Sequence, residues 1–180
     1  MPRFVAFLRA INVGGHTVKM DRLRELFQSL GFRNVETFIA SGNVIFETNT
    51  KDTRALEKKI EAKLKGELGY DVATFVRTEA ELANVARYQA YPHAVAETAG
   101  ALLVGFLVDH VTDEIKGKLV ALRTEVDEFH VNGREVYWMC KKKQSETMLK
   151  GGAFEKTLGG KATFRLLNTV RRIAERYSRD

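Results

Sequence analysis

The sequence is poor in cysteine and proline. Cys140 is the single cysteine among 180 residues, so no disulfide can form within the chain. A chain without disulfides is typical of a reducing compartment, which predicts a cytoplasmic protein. Pro2 and Pro92 are the two prolines, and this leaves little room for extended linkers.

Long apolar runs are also absent. The apolar stretch Phe4 to Leu8 is interrupted by Arg9 and lacks a small-residue cleavage site, so it does not read as a signal peptide. No run reaches the roughly 18 apolar residues that a membrane span requires. We therefore expect a soluble protein that has no membrane partner.

What is present supports a folded core and a basic surface. Hydrophobic residues make up 44% of the chain, charged residues 29%, and the net charge is +6. The segment from Arg134 to Asp180 holds twelve Lys and Arg against five Asp and Glu. Such a segment attracts anions, including phosphate backbones. A charged surface that only supports solubility explains the same count.

Hydrophobic spacing divides the first half of the chain into strands and helices. The predicted order is a strand at 3–13, a helix at 20–30, a hairpin around 41–43, a helix at 56–64, a strand at 72–77 and a short helix at 79–89. Thr50 or Asp52 is a candidate cap for the second of these helices.

The second half repeats this order, from a strand at 101–108 to a last helix from about residue 167. Its clearest signal is Asn132-Gly133, because both residues tolerate the positive φ of a two-residue hairpin loop. That loop would place Phe129 opposite Val136. We expect the apolar residues of this hairpin to share one face.

These patterns predict an α+β fold. Residues 1–90 and 91–180 each have the order of a ferredoxin-like βαββαβ unit, the second ending in a basic helix. We expect antiparallel sheets, helices packed on one face, and one compact unit.

Several motifs resemble a known bacterial family, the domain of unknown function 1697 family. The resemblance spans the whole chain and is most specific in the N-terminal third. It rests on residues 6–15 (AFLRAINVGG), Met20, Leu23, Gly31-Phe32, Ser41-Gly42-Asn43 and, later, Ser145, Thr163, Arg165, Asn168 and Thr169.

The family resemblance implies two ferredoxin-like halves and no assigned biochemical activity. The chain departs from the family pattern at three positions. Ala10 stands where Gly is usual, and Leu166 and Leu167 stand where the family has Asn and Trp.

The first candidate site is the turn after the opening strand. Its residues are Arg9, Asn12, Gly14, Gly15 and Lys19. A strand that runs through two glycines into a helix exposes backbone amides near the positive end of the helix dipole, where phosphate can bind. A sharp turn that needs glycine for positive φ explains the same residues without a ligand.

The second candidate is Ser41, Gly42 and Asn43 at the predicted hairpin tip. Turn chemistry alone accounts for them. A ligand-binding role would require this tip to lie beside Gly14 and Gly15.

The third candidate is the basic C-terminal segment, with Thr163, Arg165, Asn168 and Thr169. We expect Thr163 to cap the last helix and form another anion-receptive N-terminus. RNA binding on such a sheet would also need displayed aromatic rings, for which Phe75 and Tyr137 are the candidates.

No recognisable catalytic or metal-binding set is present, and no cofactor is predicted. The four histidines are scattered, and His130 is expected to face Glu135 across the hairpin. Cys140 is expected to be a buried, inert thiol. The sequence therefore favours a non-catalytic protein.

The leading hypothesis is binding of a phosphate-bearing small molecule or nucleic acid. Two alternatives stay open. One is a small-molecule enzyme whose Arg9, Asn12, Ser41, Arg165 and Asn168 converge on a pocket. The other is a homo-oligomeric or partner-binding protein whose motifs only specify the fold.

Overall fold

The computed structural model describes residues 1–12, 15–39, 42–143, 147 and 152–177. The chain divides into two compact units. Unit 1 comprises Met1–Asn84 and Ile173–Asp180, and unit 2 comprises Val85–Arg172. Helix α3 (Glu79–Arg87) and helix α7 (Leu167–Arg176) each contain one of the boundaries.

Unit 1 is built on a four-stranded antiparallel sheet. Besides parts of α3 and α7, its elements in chain order are β1 (Arg3–Leu8), α1 (Met20–Gln28), β2 (Arg33–Thr37), β3 (Asn43–Glu47), α2 (Thr53–Leu68) and β4 (Thr74–Thr78). The strands of the sheet are ordered β2-β3-β1-β4.

The core of unit 1 lies between one face of this sheet and helices α1 and α2. Phe4 and Phe46 from the sheet pack with Phe27 of α1 and Ile60 of α2, and all four side chains are buried. Asp52 caps α2, because its carboxylate oxygen accepts a hydrogen bond from the Ala55 amide at 3.1 Å. The core therefore forms where the sequence spacing predicts it.

Strand β4 lies at an edge of the sheet, and two glutamates of helix α2 accept hydrogen bonds from amides of β4. The Glu57 carboxylate accepts a hydrogen bond from the Val76 amide at 2.8 Å, and Glu61 accepts one from the Thr74 amide at 3.3 Å. Glu57 is only 1% exposed. Two glutamates one helical turn apart thus serve two alternate amides of an edge strand, which would otherwise be open to pairing.

The last residues of the chain belong to unit 1. The Arg3 guanidinium donates to the Tyr177 carbonyl oxygen at 2.8 Å, and the Tyr177 hydroxyl donates to the Glu36 carboxylate at 2.6 Å. Partial burial and the bond to Glu36 raise the pKa of the Tyr177 hydroxyl, so it remains a proton donor.

Unit 2 has a second four-stranded antiparallel sheet. Its elements between α3 and α7 are α4 (His93–Glu97), β5 (Ala101–Phe106), α5 (Asp113–Val120), β6 (Asp127–Asn132), β7 (Glu135–Cys140), α6 (Ala153–Leu158) and β8 (Thr163–Leu166). The strands of this sheet are ordered β6-β7-β5-β8.

The hairpin between β6 and β7 corrects the predicted register. Asn132 pairs with Glu135 and Phe129 with Trp138, so the loop is Gly133-Arg134 rather than Asn132-Gly133. Gly133 has φ +62°, whereas Asn132 is not in the positive-φ region. One positive φ at the first loop position is the pattern of a type II′ turn. The register moves by an even step, so Phe129 and Trp138 still share the predicted core face.

A buried carboxylate organises one end of this hairpin. Asp127 is 0% exposed, and its Oδ1 accepts hydrogen bonds from Trp138 Nε1 at 2.8 Å and from the Thr147 hydroxyl at 2.7 Å. Its Oδ2 accepts one from the Thr124 hydroxyl at 2.7 Å. The carboxylate therefore joins the strands to the segment that follows β7.

The predicted fold class is confirmed. The chain is a mixed α/β protein with two antiparallel four-stranded sheets and two similar βαββαβ halves, and the described residues form seven helices. Helix α4, which begins after Pro92, was not predicted. Among the described residues, none of the helices has both the length and the apolarity to cross a membrane.

Candidate functional site

The loop between β1 and α1 is held by contacts within unit 1. Asn12 Oδ1 accepts a hydrogen bond from the Val18 amide at 2.7 Å, and the Tyr70 hydroxyl donates to the Ile11 carbonyl oxygen at 2.8 Å. The His16 ring stacks on the Tyr70 ring with centroids 3.8 Å apart. These contacts give the described part of the loop a defined shape before any ligand binds.

A cavity of about 560 Å³, here termed the loop cleft, opens between this loop and α1. Ile11, Asn12, Val18, Lys19 and Gly42 line it, together with Met20, Asp21, Leu23 and Arg24 of α1. Gly42 lies beside the end of β1, where its carbonyl oxygen accepts a hydrogen bond from the Leu8 amide at 2.8 Å. The cleft thus brings three predicted site residues together: Asn12, Lys19 and Gly42.

Charged residues of both signs line the loop cleft, namely Lys19, Asp21 and Arg24. Lys19 is the N-cap residue of α1, and its side chain makes no capping hydrogen bond. The first turn of such a helix presents amide donors and a partial positive charge. Asp21 is the opposing charge, and it is paired with Arg24, which also donates to the Thr37 hydroxyl at 2.9 Å.

Other predicted residues of unit 1 have structural surroundings. Asn43 is buried, and its side-chain amide donates to the carbonyl oxygens of Phe38 and Ile39 at 3.0 and 3.3 Å. The Arg9 amide donates to Ala73, and Arg9 does not line the cleft. Gly15 is exposed with φ +83°, which fits the turn explanation. Gly14 and Ser41 lie outside the described residues.

The C-terminal signature lies in unit 2, on β8 and the start of α7. The prediction that Thr163 caps the last helix is wrong, because Thr163 pairs with Phe106 in the sheet and α7 begins only at Leu167. The Thr163 hydroxyl instead accepts a hydrogen bond from the Arg165 guanidinium at 2.8 Å. Burial lowers the pKa of Arg165 to about 10.

Asn168 is exposed and Thr169 is half-buried on the first turn of α7. Leu166, at the position where the family has Asn, is 49% exposed, and Leu167 is buried. The convergence of this signature with the loop cleft stays a prediction.

The residues considered for chemistry have other partners. Cys140 is buried, as expected, and its thiol lies 3.4 Å from the Lys143 carbonyl oxygen. His130 pairs with Tyr137 and not with Glu135 in the sheet, a consequence of the corrected register. Over the residues that the structure describes, no group of three or more His, Cys, Asp or Glu side chains is arranged to hold a metal ion.

Unit 2 contains a second cavity, here termed the tyrosine cavity, with a volume of about 330 Å³. Its walls include Tyr88, Tyr91, Tyr137, Leu102, Leu103 and Leu167. The segment between α3 and β5 resembled a simple junction in the sequence, and its two tyrosines were not predicted as site residues. The available signal was compositional, since two of the five tyrosines of the chain stand within four residues there.

Fold and site together define the class: a mixed α/β protein of two similar halves with an open cleft beside the first strand. The family described as protein of unknown function (DUF1697) matches residues 1–137. The match covers most of the 180 residues. The chain therefore belongs to this family, as the motifs predicted.

A solved structure has the same fold. The conserved bacterial protein SP0830 from Streptococcus pneumoniae superposes with a TM-score of 0.75 over 97% of this chain and 97% of that chain. Sequence identity is 18%, so the similarity concerns the fold. No curated protein matches the chain in sequence.

The family's usual glycine at position 10 has a backbone explanation here. Ala10 has φ +54°, a conformation that costs a residue with a Cβ about 1–2 kcal/mol. Ala10→Gly should therefore raise the free energy of unfolding by about 0.5–1 kcal/mol after the greater chain entropy of glycine is subtracted. Urea denaturation measures the change.

Ala99→Gly is the matched control for this prediction, because Ala99 is a loop residue outside the positive-φ region. It should lose about 0.5–1 kcal/mol through unfolded-state entropy. Equal losses at the two positions would contradict the expected strain at Ala10.

Proposed function

We propose that the chain binds a small phosphate-bearing molecule in the loop cleft without catalysing a reaction. One observation carries this proposal: an open cavity of about 560 Å³ stands directly before a helix N-terminus that has no side-chain cap. First-turn amides of α1 would donate to phosphate oxygens, and Lys19 would add a positive charge. The apolar side chains of Ile11, Val18 and Leu23 would contact the rest of the ligand.

Nucleic acid is the less favoured ligand. Sequence-tolerant binding of single strands relies on exposed aromatic rings on which bases stack. The two candidate rings, Phe75 and Tyr137, are 0% and 2% exposed. Lys141 to Lys143 are exposed, but a charge run without such rings is also a common solvated surface.

We further propose that residues 1–90 and 91–180 are two ferredoxin-like copies in a cytoplasmic bacterial protein. The support is the shared antiparallel order, in which the first strand of each half lies between the third and the fourth. This strand order belongs to the split βαβ motif of ferredoxin-like units.

The proposal predicts that inorganic phosphate binds with a dissociation constant on the order of 1 mM, equivalent to about −4 kcal/mol. At ten times that concentration, mass action should add about 1.4 kcal/mol to the free energy of unfolding. Amide NMR shifts of Asp21 and Arg22, in the first turn of α1, should move with the same binding curve. Chloride at equal ionic strength should leave them in place.

Lys19→Gln should weaken phosphate binding about threefold to tenfold, since a charge-assisted contact is lost. Lys58→Gln is the matched control, because Lys58 is exposed on α2 and does not line the cleft. If phosphate leaves the Asp21 and Arg22 amides unmoved, or if both variants bind alike, the anion site is rejected. Binding of an oligonucleotide with steep salt dependence, together with no response to phosphate, would favour nucleic acid instead.

A further inference from the structure

The tyrosine cavity has walls that are fixed by hydrogen bonds within unit 2. The Tyr91 hydroxyl lies 2.9 Å from the carbonyl oxygens of both Glu128 and Tyr137, which share its one proton, and the Tyr137 hydroxyl donates to the Val85 carbonyl oxygen at 3.0 Å. The Tyr88 hydroxyl lies 2.6 Å from His130 Nε2. Each hydroxyl therefore has a protein partner, and the rings are positioned before a ligand arrives.

The Tyr91 and Tyr137 hydroxyls and the His130 ring are uncharged at physiological pH. Burial raises the pKa of Tyr91 and of Tyr137, so both hydroxyls stay neutral donors. Burial and the nearby Lys116 lower the pKa of His130, so its ring is neutral at physiological pH and can accept a hydrogen bond from the Tyr88 hydroxyl. The tyrosine part of the cavity wall therefore offers uncharged aromatic surface.

The rings form a continuous aromatic surface. Tyr88 and Tyr137 have ring centroids 5.2 Å apart, and the Tyr88 ring also stacks against His130 at 5.6 Å. Leu102 and Leu103 of β5 and Ala96 of α4 add apolar surface. A volume of about 330 Å³ is near the lower end of the roughly 300–1,000 Å³ usual for small-molecule sites. This combination suits a small, flat and largely apolar group.

The permanently charged side chains that line the cavity are positive, while Glu128 and Glu135 act on the Tyr91 and Tyr137 hydroxyls from outside the lining. Arg87 and Arg171 line the cavity, and none of its lining residues is Asp or Glu. His93 also lines it, but His93 pairs with Glu97 at 2.8 Å. Arg171 holds the Ala86 carbonyl oxygen through Nε at 3.4 Å, and its positive charge acts on the Tyr137 hydroxyl. A guanidinium anchored in this way can present its terminal nitrogens to a carboxylate.

We propose that the tyrosine cavity binds a small aromatic carboxylic acid. Its ring would lie against the half-buried Tyr88, Tyr91 and Leu102, and its carboxylate would face Arg171 and Arg87. The ring would replace water on apolar and aromatic surface, while the guanidinium groups would give selectivity for the anion. This site belongs to unit 2 and does not depend on the loop cleft.

The test compares three probes of similar size: benzoate, its neutral analogue benzamide, and the non-planar anion cyclohexanecarboxylate. Binding to the full chain is followed by amide NMR shifts, and the expected response includes Gln89, Ala90 and Ala96. Benzoate should bind about tenfold more tightly than either other probe, because it alone offers both a flat ring and a charge. Equal affinity for benzoate and benzamide would overturn the assignment.

Two variants test the location of the site. Ala96→Leu fills the cavity and should weaken benzoate binding at least about tenfold, whereas Ala94→Leu on the exposed side of α4 should not. Arg171→Gln should weaken it about tenfold, and Arg172→Gln, which removes an equal charge from a residue outside the lining, should change it less than about twofold.

Each result has a defined meaning. Loss of benzoate binding in Ala96→Leu and Arg171→Gln, with both controls unchanged, supports the proposal. Benzoate binding that survives both substitutions, or that shifts amides of the loop cleft instead, rejects it. A negative benzoate result beside a positive phosphate result would reject this site alone.

Discussion

Replacing Asp127 with Ala is expected to lower the free energy of unfolding by about 3–4 kcal/mol. The change removes the shared acceptor of Trp138 Nε1 and of the Thr124 and Thr147 hydroxyls, and Asp127 itself is 0% exposed. Folded proteins have a total stability of only about 5–15 kcal/mol, so this loss is large. Urea denaturation followed by far-UV circular dichroism measures it.

Two further variants separate the causes of that loss. Asp127→Asn keeps one acceptor oxygen and should lose less than the alanine variant. Asp109→Ala removes an exposed carboxylate and should change stability by less than about 0.5 kcal/mol. If Asp127→Ala costs no more than Asp109→Ala, the buried carboxylate does not hold the hairpin end.

Glu57→Ala is expected to cost about 2–3 kcal/mol, because the Val76 amide would lose its acceptor at a buried position. The same change should speed hydrogen exchange at Val76 by about tenfold or more, since the edge of β4 would open more often. Exchange measured by NMR reports this residue directly.

Glu61→Ala is the matched comparison, one turn further along α2. Its bond to the Thr74 amide is longer, at 3.3 Å, and its side chain is less buried, so we expect a loss of about 1 kcal/mol. Glu57→Gln keeps an acceptor and should retain most of the stability. Unchanged exchange at Val76 in Glu57→Ala would mean that the edge amide is protected by something else.

Much of the fold follows from local patterns that need no distant information. Asp52 was one of two candidate caps for α2, beside Thr50, because a polar side chain precedes the apolar repeat, and Asp52 accepts the expected amide hydrogen bond. The hairpin at Gly133 was found but shifted, because the sequence does not say which of two neighbouring residues takes the positive φ. Thr163 was misread because a strand runs into α7 with no loop between them.

The candidate sites were less accessible to sequence reasoning. Asn12 and Gly42 belong to motifs of the family, and Lys19 was grouped with Asn12 because both flank the two glycines after the opening strand. That the hairpin tip lies near this turn was only a condition for ligand binding, which the sequence could not test. The tyrosine cavity could not be predicted, since its lining comes from several elements, among them the five-residue helix α4. A helix that short has too few residues to show a period.

The contacts that Tyr177 makes with Arg3 and Glu36 have a consequence for biosynthesis. Domains generally fold as units, the N-terminal one first, while the chain is still being made. Tyr177 lies 174 positions after Arg3, so its contact with β1 forms only once that later part of the chain has been synthesised. Until then, unit 1 lacks the hydrogen bonds that Tyr177 makes with Arg3 and Glu36.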